Sequence, residues 1–379
     1  MRDLVASFII RLLTINSCLN KGDKKMTKRL KLLQQTLKQE KTDALLVTNL
    51  FNLRYLSGFT GTTAVGLVTP NTAFLITDSR YTIQATNEAK HFEVITHGSI
   101  WEDAVKELID RLEITKLAID GNNISYNQYL KMSKMFDASL VVSSPLIEKQ
   151  REVKDKEEIE TIQKACKIAD IAFDHILTYI KPGMTEIEVA NELDFVMRRN
   201  KATGVSFDTI VASGLRSALP HGVATHKIIE ENDIITIDFG CYYNGYVSDI
   251  TRTISIGSVM PTLKKMHAAV LESNQKTIKA IKPGITSKEL IEISRKVLRK
   301  YDLEQYFTHG LGHGIGLEIH EGPMLSLSND KPLVPGNIIT IEPGCYIDGI
   351  GGVRIEDDVL VTDQGFKVLT HSSHDLLEL

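Results

Sequence analysis

The chain has 379 residues, long enough that two domains are the starting expectation. A hydrophobic share of 42%, a charged share of 24% and a net charge of −4 describe a globular protein and argue against a nucleic-acid or anionic-membrane partner. Cys18, Cys166, Cys241 and Cys345 form no CxxC pair, which argues against a thiolate zinc site or a disulfide framework and for a reducing, cytoplasmic setting.

Residues 1–25 carry a short apolar run, "LVASFIIRLLTI", interrupted by Arg11. No small-residue cleavage site follows it, and it is too short to span a membrane. Lys21-Gly22-Asp23-Lys24-Lys25 can be encoded with a purine-rich GGAG core just ahead of Met26. We therefore expect translation to start at Met26, with residues 1–25 an upstream extension. The nucleotide sequence of the gene tests this.

From Met26 to about Gln150, helical and extended patterns interleave. "KRLKLLQQTLKQ" has helical spacing, "DALLVT" reads as a strand, and "TAVGLVTP" and "TAFLITD" as two more joined by a turn at Pro70-Asn71. "WEDAVKELIDRL" and "YNQYLKMSKMF" read as helices, "KLAID" and "SLVVS" as strands. The interleaving predicts an α/β domain over residues 26–150. "SGFTGTTAVG" has glycines but lacks the lysine of a P-loop and the dinucleotide spacing, so it reads as loop and strand. The charged stretch "SSPLIEKQREVKDKEE" reads as a join between domains.

Residues 151–379 make the second domain in this reading. Ile159, Ile162, Cys166, Ala169, Phe173, Ile176 and Ile180 mark one face of a long helix. Lys181-Pro182-Gly183 stops it, and Thr185 with Glu188 has the capping-box form that starts another. "IKPGITSKE" from Ile281 repeats "IKPGMTEIE" from Ile180, and "NIITIEPG" from Asn337 repeats "DIITIDFG" from Asp233. Two matches in the same order at nearly the same offset predict duplicated halves, a pseudo-two-fold domain over Asp155–Leu379.

Each repeated strand ends in an acid. "IITID" alternates as a half-buried strand does, with Thr236 and Asp238 on one face. Asn244-Gly245 predicts a two-residue hairpin turn. That turn pairs Tyr243 with Tyr246 and Gly240 with Asp249, so Asp238 and Asp249 point the same way. A turn centred on Gly349 sets Glu342 opposite Glu356. Four carboxylates at mirrored positions cannot all be ionised in a partly buried place without compensation. Arg252 and Arg354 supply part of it, and two divalent cations would supply the rest. Oxygen ligands with one imidazole, for which His313 in "THGLGHGIGLEIHEGP" is the candidate, suit Mn²⁺, Fe²⁺, Co²⁺ or Zn²⁺. A metal pair of this kind suits amide hydrolysis. His221, His309 and His320 are then candidate proton carriers and oxyanion donors. His97, His267, His371 and His374 read as ordinary surface histidines.

The set "LPHG", "DFGCYYNGYVSDITRT", "GLGHGIGLEIHE", "IEPG" and "GGVRIEDD" resembles the pita-bread metallopeptidases. The likeness runs over Met26–Leu379 and includes "RYLSGFTG" and "TDSRY" in the first domain. It implies a creatinase-like α/β N-terminal domain and an α+β, pseudosymmetric pita-bread catalytic domain. It also implies five metal ligands, Asp238, Asp249, His313, Glu342 and Glu356. Asp249 and Glu356 would bridge two ions, Mn²⁺ by first expectation. Glu342 would shuttle the proton of the attacking water. His221 and His320 would hold substrate at the scissile bond, His309 would line a proline pocket, and Arg354 would orient the bridging carboxylates or the substrate. The motif wording is most similar to the proline-specific branch, Xaa-Pro aminopeptidase and prolidase, whose substrates are proline-containing peptides. A homodimer is expected from the same likeness.

A non-enzymatic relative would have lost metal ligands, and all five are present here. A metal-free, creatinase-type hydrolase is disfavoured for the same reason. A methionine aminopeptidase is disfavoured by the separate first domain and by the arginine of "GGVRIEDD". Between the proline enzymes, a dipeptidase needs a dedicated cation for the proline carboxylate. The motifs show no arginine or lysine beyond Arg354 and Arg252, so the sequence favours the aminopeptidase, with the dipeptidase as alternative.

Overall fold

The computed structural model describes residues 28–379. The expectation about a start at Met26 concerns residues outside that range. The chain divides into two compact units between Gln150 and Arg151.

In the first unit a helix over residues 28–39 precedes a six-stranded sheet. Its strands are β1 (Ala44–Val47), β2 (Ala64–Val68), β3 (Ala73–Thr77), β4 (Glu93–Thr96), β5 (Lys116–Ile119) and β6 (Ser139–Val142). The order is β4-β3-β2-β1-β5-β6, with β5 and β6 parallel to β1 and the β2–β3 hairpin turning through Pro70-Asn71. Leu46, Leu67, Phe74, Ile76, Val105, Leu108 and Leu117 fill the core against the helix Trp101–Arg111. The sequence pattern missed three elements. One is the helix Leu50–Ser57, which rests on an Asn49 cap and Gly58 at φ 80 rather than on length. The second is the short helix Thr82–Glu88, whose threonines are weak helix formers. The third is β4, half exposed at the sheet edge and without alternation.

The second unit repeats one plan. Helix Lys156–Tyr179 starts at an Asp155/Glu158 capping box, and Gly183 at φ 90 lies between its end and helix Glu186–Arg199, capped by Thr185 with Glu188. Helix Pro261–Ala280 begins on a proline, Gly284 again takes φ 90, and Thr286 with Glu289 caps helix Ser287–Lys300. The main chain repeats as well. Gly183 N–H donates to Ile229 O, and Gly284 N–H to Leu333 O. The charged join is partly helical and partly buried. Residues Leu146–Arg151 are helical, and Arg151 and Lys154 are buried because they pair with acids of the second unit.

The remaining strands surround the centre of the unit. They are β7 (Gly204–Val205), β8 (Ile210–Ser213), β9 (Ile234–Phe239), β10 (Cys241–Tyr243), β11 (Tyr246–Val247) and β12 (Ile250–Ser255) in the first half. In the second half they are β13 (Gly312–Gly314), β14 (Glu321–Leu325), β15 (Ile338–Ile341), β16 (Gly344–Ile347), β17 (Gly351–Arg354), β18 (Asp357–Thr362) and β19 (Gly365–Val368). β9 lies between β8 and β12, and β15 between β13 and β18. A bridge between Thr251 and Glu356 links the halves. β9 is buried along its whole length rather than half-buried, so its polar face looks into the protein. Cys166, Cys241 and Cys345 are buried, reduced thiols. No helix among the described residues is long and apolar enough to cross a membrane.

Candidate metal centre and substrate cavity

Two hairpins deliver the acids. Asn244 and Gly245 take φ 49 and 83, the conformation a two-residue hairpin turn demands. Tyr243 pairs with Tyr246, and pairing stays in step through Tyr242 with Val247 to Phe239 with Ile250. Asp238 and Asp249 therefore emerge toward one side, as expected. Gly240 permits this close approach, since a Cβ there would lie 1.9 Å from Ser248 O. In the second half Gly349 turns the chain at φ 73. Gly344 pairs with Arg354 and Ile341 with Asp357, so Glu342 faces Glu356. One expectation needs correction. Asp249 and Glu356 are not mirror equivalents: Asp249 shares its register place with Arg354, and Glu356 with Thr251.

The structure brings the five candidate ligands together. One ligand atom from each of Asp249, His313 and Glu356 lies within 4.8 Å of the others. His313 Nε2 is 3.7 Å from Asp249 Oδ2 and 3.6 Å from Glu342 Oε1. The outer edges of these groups are fixed by the protein. Arg354 Nη2 donates to Asp238 Oδ2 at 2.6 Å, Thr251 Oγ1 to Glu356 Oε2 at 2.6 Å, and Thr340 Oγ1 to Glu342 Oε1 at 3.2 Å. His313 Nδ1 lies 3.1 Å from Gly314 O, an acceptor only, so that nitrogen carries the proton and Nε2 offers a lone pair. Asp238 Oδ1 and Asp249 Oδ1 are buried and have no hydrogen-bond donor among the described residues. Such oxygens are expensive to bury unless a cation meets them, so the residues fit a metal centre.

The electrostatics agree. Burial, with the Glu356 and Asp238 charges added, pushes Asp249 well above the carboxylate range. Burial and Glu342 do the same to Glu356. Burial lifts Glu342 to about 7 although Arg354 opposes it. Burial lowers His313 to about 4, which keeps the imidazole neutral and able to ligate at pH 7. One guanidinium against four acids leaves room for further positive charge.

A cavity of about 400 Å³ opens over the centre. His221, His309 and His320 all line it, with apolar contributions from Phe207, Pro220, Val223, Ile319 and Met324. His309 Nδ1 donates to Gly310 O at 2.7 Å, and its Nε2 lies 3.0 Å from the Tyr346 hydroxyl. That hydroxyl accepts from Arg354 Nη1 at 2.7 Å. A continuous chain thus runs Asp238–Arg354–Tyr346–His309.

Sequence reasoning missed Tyr346, Thr251 and Thr340. For Tyr346 the readable signal was a tyrosine set across from Gly352, where a Cβ would meet Tyr346 Cδ1 at 2.7 Å. Arg252 does not neutralise the four acids. It is buried against Asp357 at 2.8 Å and donates to the main-chain oxygens of Glu356 and Thr251. Two histidines were misplaced. His267 is buried on helix Pro261–Ala280, whose core-facing stripe it shares. His374 is half-buried and reaches Asp357 at 2.9 Å. His371 is exposed and His97 half-buried, and neither lines the cavity.

Comparison with known proteins follows the same division of the chain. Residues 160–363 match Metallopeptidase family M24, and residues 29–153 match the Creatinase/Prolidase N-terminal domain. A solved Xaa-Pro dipeptidase from Bacillus anthracis is 45% identical, with a TM-score of 0.91 over 93% of this chain and 100% of its own. The X-Pro aminopeptidase of Thermotoga maritima is 42% identical, with a TM-score of 0.83 over 89% and 98%. The Xaa-Pro dipeptidase of Pyrococcus furiosus is 40% identical over 93% of this chain and its full length.

Proposed function

The chain belongs to metallopeptidase family M24, and from that premise we propose that it hydrolyses the bond between a first residue and a following proline, acting on Xaa-Pro dipeptides. The observation that carries the reading is the convergence of Asp238, Asp249, His313, Glu342 and Glu356 beneath a cavity lined by three histidines. The names of relatives supply the proline specificity, and they favour a dipeptidase over the aminopeptidase that the sequence motifs favoured.

Asp249 and Glu356 would hold both of two divalent ions, with Asp238 completing one site and His313 and Glu342 the other. We propose Mn²⁺. When bound, such ions supply Lewis acidity toward the scissile carbonyl and make a water nucleophilic near neutral pH. The chain's own residues do the rest. Glu342 takes the proton of the attacking water and passes it to the proline nitrogen as the C–N bond breaks. His221 and His320 donate to the carbonyl region from the cavity wall. His309, held by Tyr346, borders the proline ring. Arg354 holds the Asp238 carboxylate in place through its Nη2 hydrogen bond. The bond before proline is a tertiary amide with no N–H, so a site that polarises the carbonyl and shapes a ring pocket suits it.

One observation favours the aminopeptidase as a second reading. Among the described residues lining the cavity, Arg354 is the one lysine or arginine, and it is engaged by Asp238, Tyr346, Pro220 O and Thr251. The test is kcat/KM for Ala-Pro against Ala-Pro-Ala. A dipeptidase cleaves only the first, whereas equal or faster cleavage of the tripeptide establishes the aminopeptidase. Cleavage of neither refutes proline specificity.

A further inference from the structure

Behind the cavity wall, buried ionic side chains meet at the residue after His320. One carboxylate oxygen of Glu321 lies 2.8 Å from Lys154 Nζ and the other 2.5 Å from Arg151 Nη2. Arg151 also reaches Glu318 at 2.6 Å. The Arg151 and Lys154 side chains are 2% and 1% exposed, and that of Glu321 is 7%. Ions this deep persist only when paired, and well-packed apolar residues would often stabilise a fold as much. Stability alone therefore gives no reason for them.

The loop is shaped around the Glu321 carboxylate. A Cβ at Gly316 would lie 2.2 Å from Glu321 Oε1, so the glycine lets the loop close onto the carboxylate where it stands. Glu318 N–H donates to Glu321 Oε2 at 3.3 Å, closing the turn that presents Ile319 and His320 to the cavity. The Glu321 main chain pairs with Gly314, the neighbour of His313. The His313 and His320 rings stand 4.1 Å apart, centroid to centroid. One carboxylate thus fixes the turn that carries His320 and the strand end beside His313.

We propose that Glu321, clamped by Arg151 and Lys154, is a positioning residue that sets where His320 meets the substrate. It touches no reacting atom and acts through its neighbour. The inference rests on the proposed contact between His320 and substrate.

The test is a double-mutant cycle on Ala-Pro with Mn²⁺-loaded enzyme, comparing wild type, Glu321→Gln, His320→Ala and the double variant. Glu321→Gln should lower kcat by about 10- to 100-fold, as loss of a supporting contact behind an active residue does, with metal content unchanged. Added to His320→Ala, it should cost less than about twofold, because coupled residues are not additive. Losses that multiply in the double variant overturn the proposal. In the metal-free protein, Glu321→Gln should also shift the imidazole NMR signals of His320, and unmoved signals count against it. If Glu321→Gln does not fold, Lys154→Met and Lys154→Arg replace it. The methionine should reproduce the loss and the arginine recover most of it, whereas wild-type activity of Lys154→Met refutes the clamp. A fully active His320→Ala would instead remove the substrate role of His320. Impaired His320→Ala with multiplicative losses defeats the clamp alone.

Discussion

The two halves of the catalytic unit share a backbone and differ in what stands on it. Ile256 N–H donates to Asp233 O in the first half, and Val361 N–H to Asn337 O in the second. In that shared register Asp238 faces Thr251, whereas Glu342 faces Glu356. Gly240 faces Asp249, whereas Gly344 faces Arg354. Each departure is answered from the opposite half: Arg354 holds Asp238, and Thr251 holds Glu356. Duplication supplies a rigid frame with acids at its centre. Breaking the copy then sets the charge, because two identical halves would put either no guanidinium or two beside the four acids.

Six variants can break or sharpen this comparison. The largest effect should come from Asp249→Ala or Glu356→Ala. Each acid has no register twin to replace it, so activity should fall to background and metal content should fall with it, as measured by elemental analysis. If either variant keeps full metal, the sharing of both ions by these acids is wrong. His221→Ala should separate the two properties, lowering kcat by about a hundredfold while metal content stays near normal. Loss of metal in that variant would move His221 into the metal centre.

Next come the cross-half partners. Arg354→Gln and Thr251→Val remove the outer supports of Asp238 and Glu356, and each should cost about 10- to 100-fold in kcat/KM, with Arg354 nearer the upper figure because it carries charge. Equal, negligible losses would mean that the asymmetry is ornamental. The smallest effect concerns Asp358, whose carboxyl accepts from Asp249 N–H and Cys166 Sγ. Burial raises it from 3.8 to about 8. An acid raised on folding binds its proton more tightly in the native state, so native stability falls as pH rises through that window. The metal-free protein should melt lower at pH 8 than at pH 5, and Asp358→Asn should flatten this slope. An unchanged slope would assign the dependence to other groups.

Much of this site was legible in the sequence because strand pairing is arithmetic. Asn244-Gly245 fixed one register and Gly349 the other, and from these the facing of Asp238, Asp249, Glu342 and Glu356 followed. What period-two patterning cannot show is which polar face is buried. β9 read as half-buried because Thr236 and Asp238 are polar, yet its polar face is the interior of the site. Ion pairs between distant segments were equally invisible. Nothing local marks Arg151 and Lys154 as interior, since Glu321 lies far along the chain. His374 and His267 read as surface residues because their burial comes from tertiary packing, with the Asp357 partner of His374 as hidden as those of Arg151 and Lys154.

The buried thiols give the protein a built-in gauge of its own opening. Burial pushes Cys241 and Cys345 up to about 12, and burial with the nearby Asp358 pushes Cys166 well above its usual value. Only the thiolate reacts with alkylating reagents, so at neutral pH these three positions should be silent while the chain is folded. Cys166 and Cys241 lie in the first half and Cys345 in the second, so the order in which they become labelled during slow denaturation reads out which copy loosens first. Mass spectrometry of the labelled peptides would turn that order into a stability map of the duplication without any engineered probe.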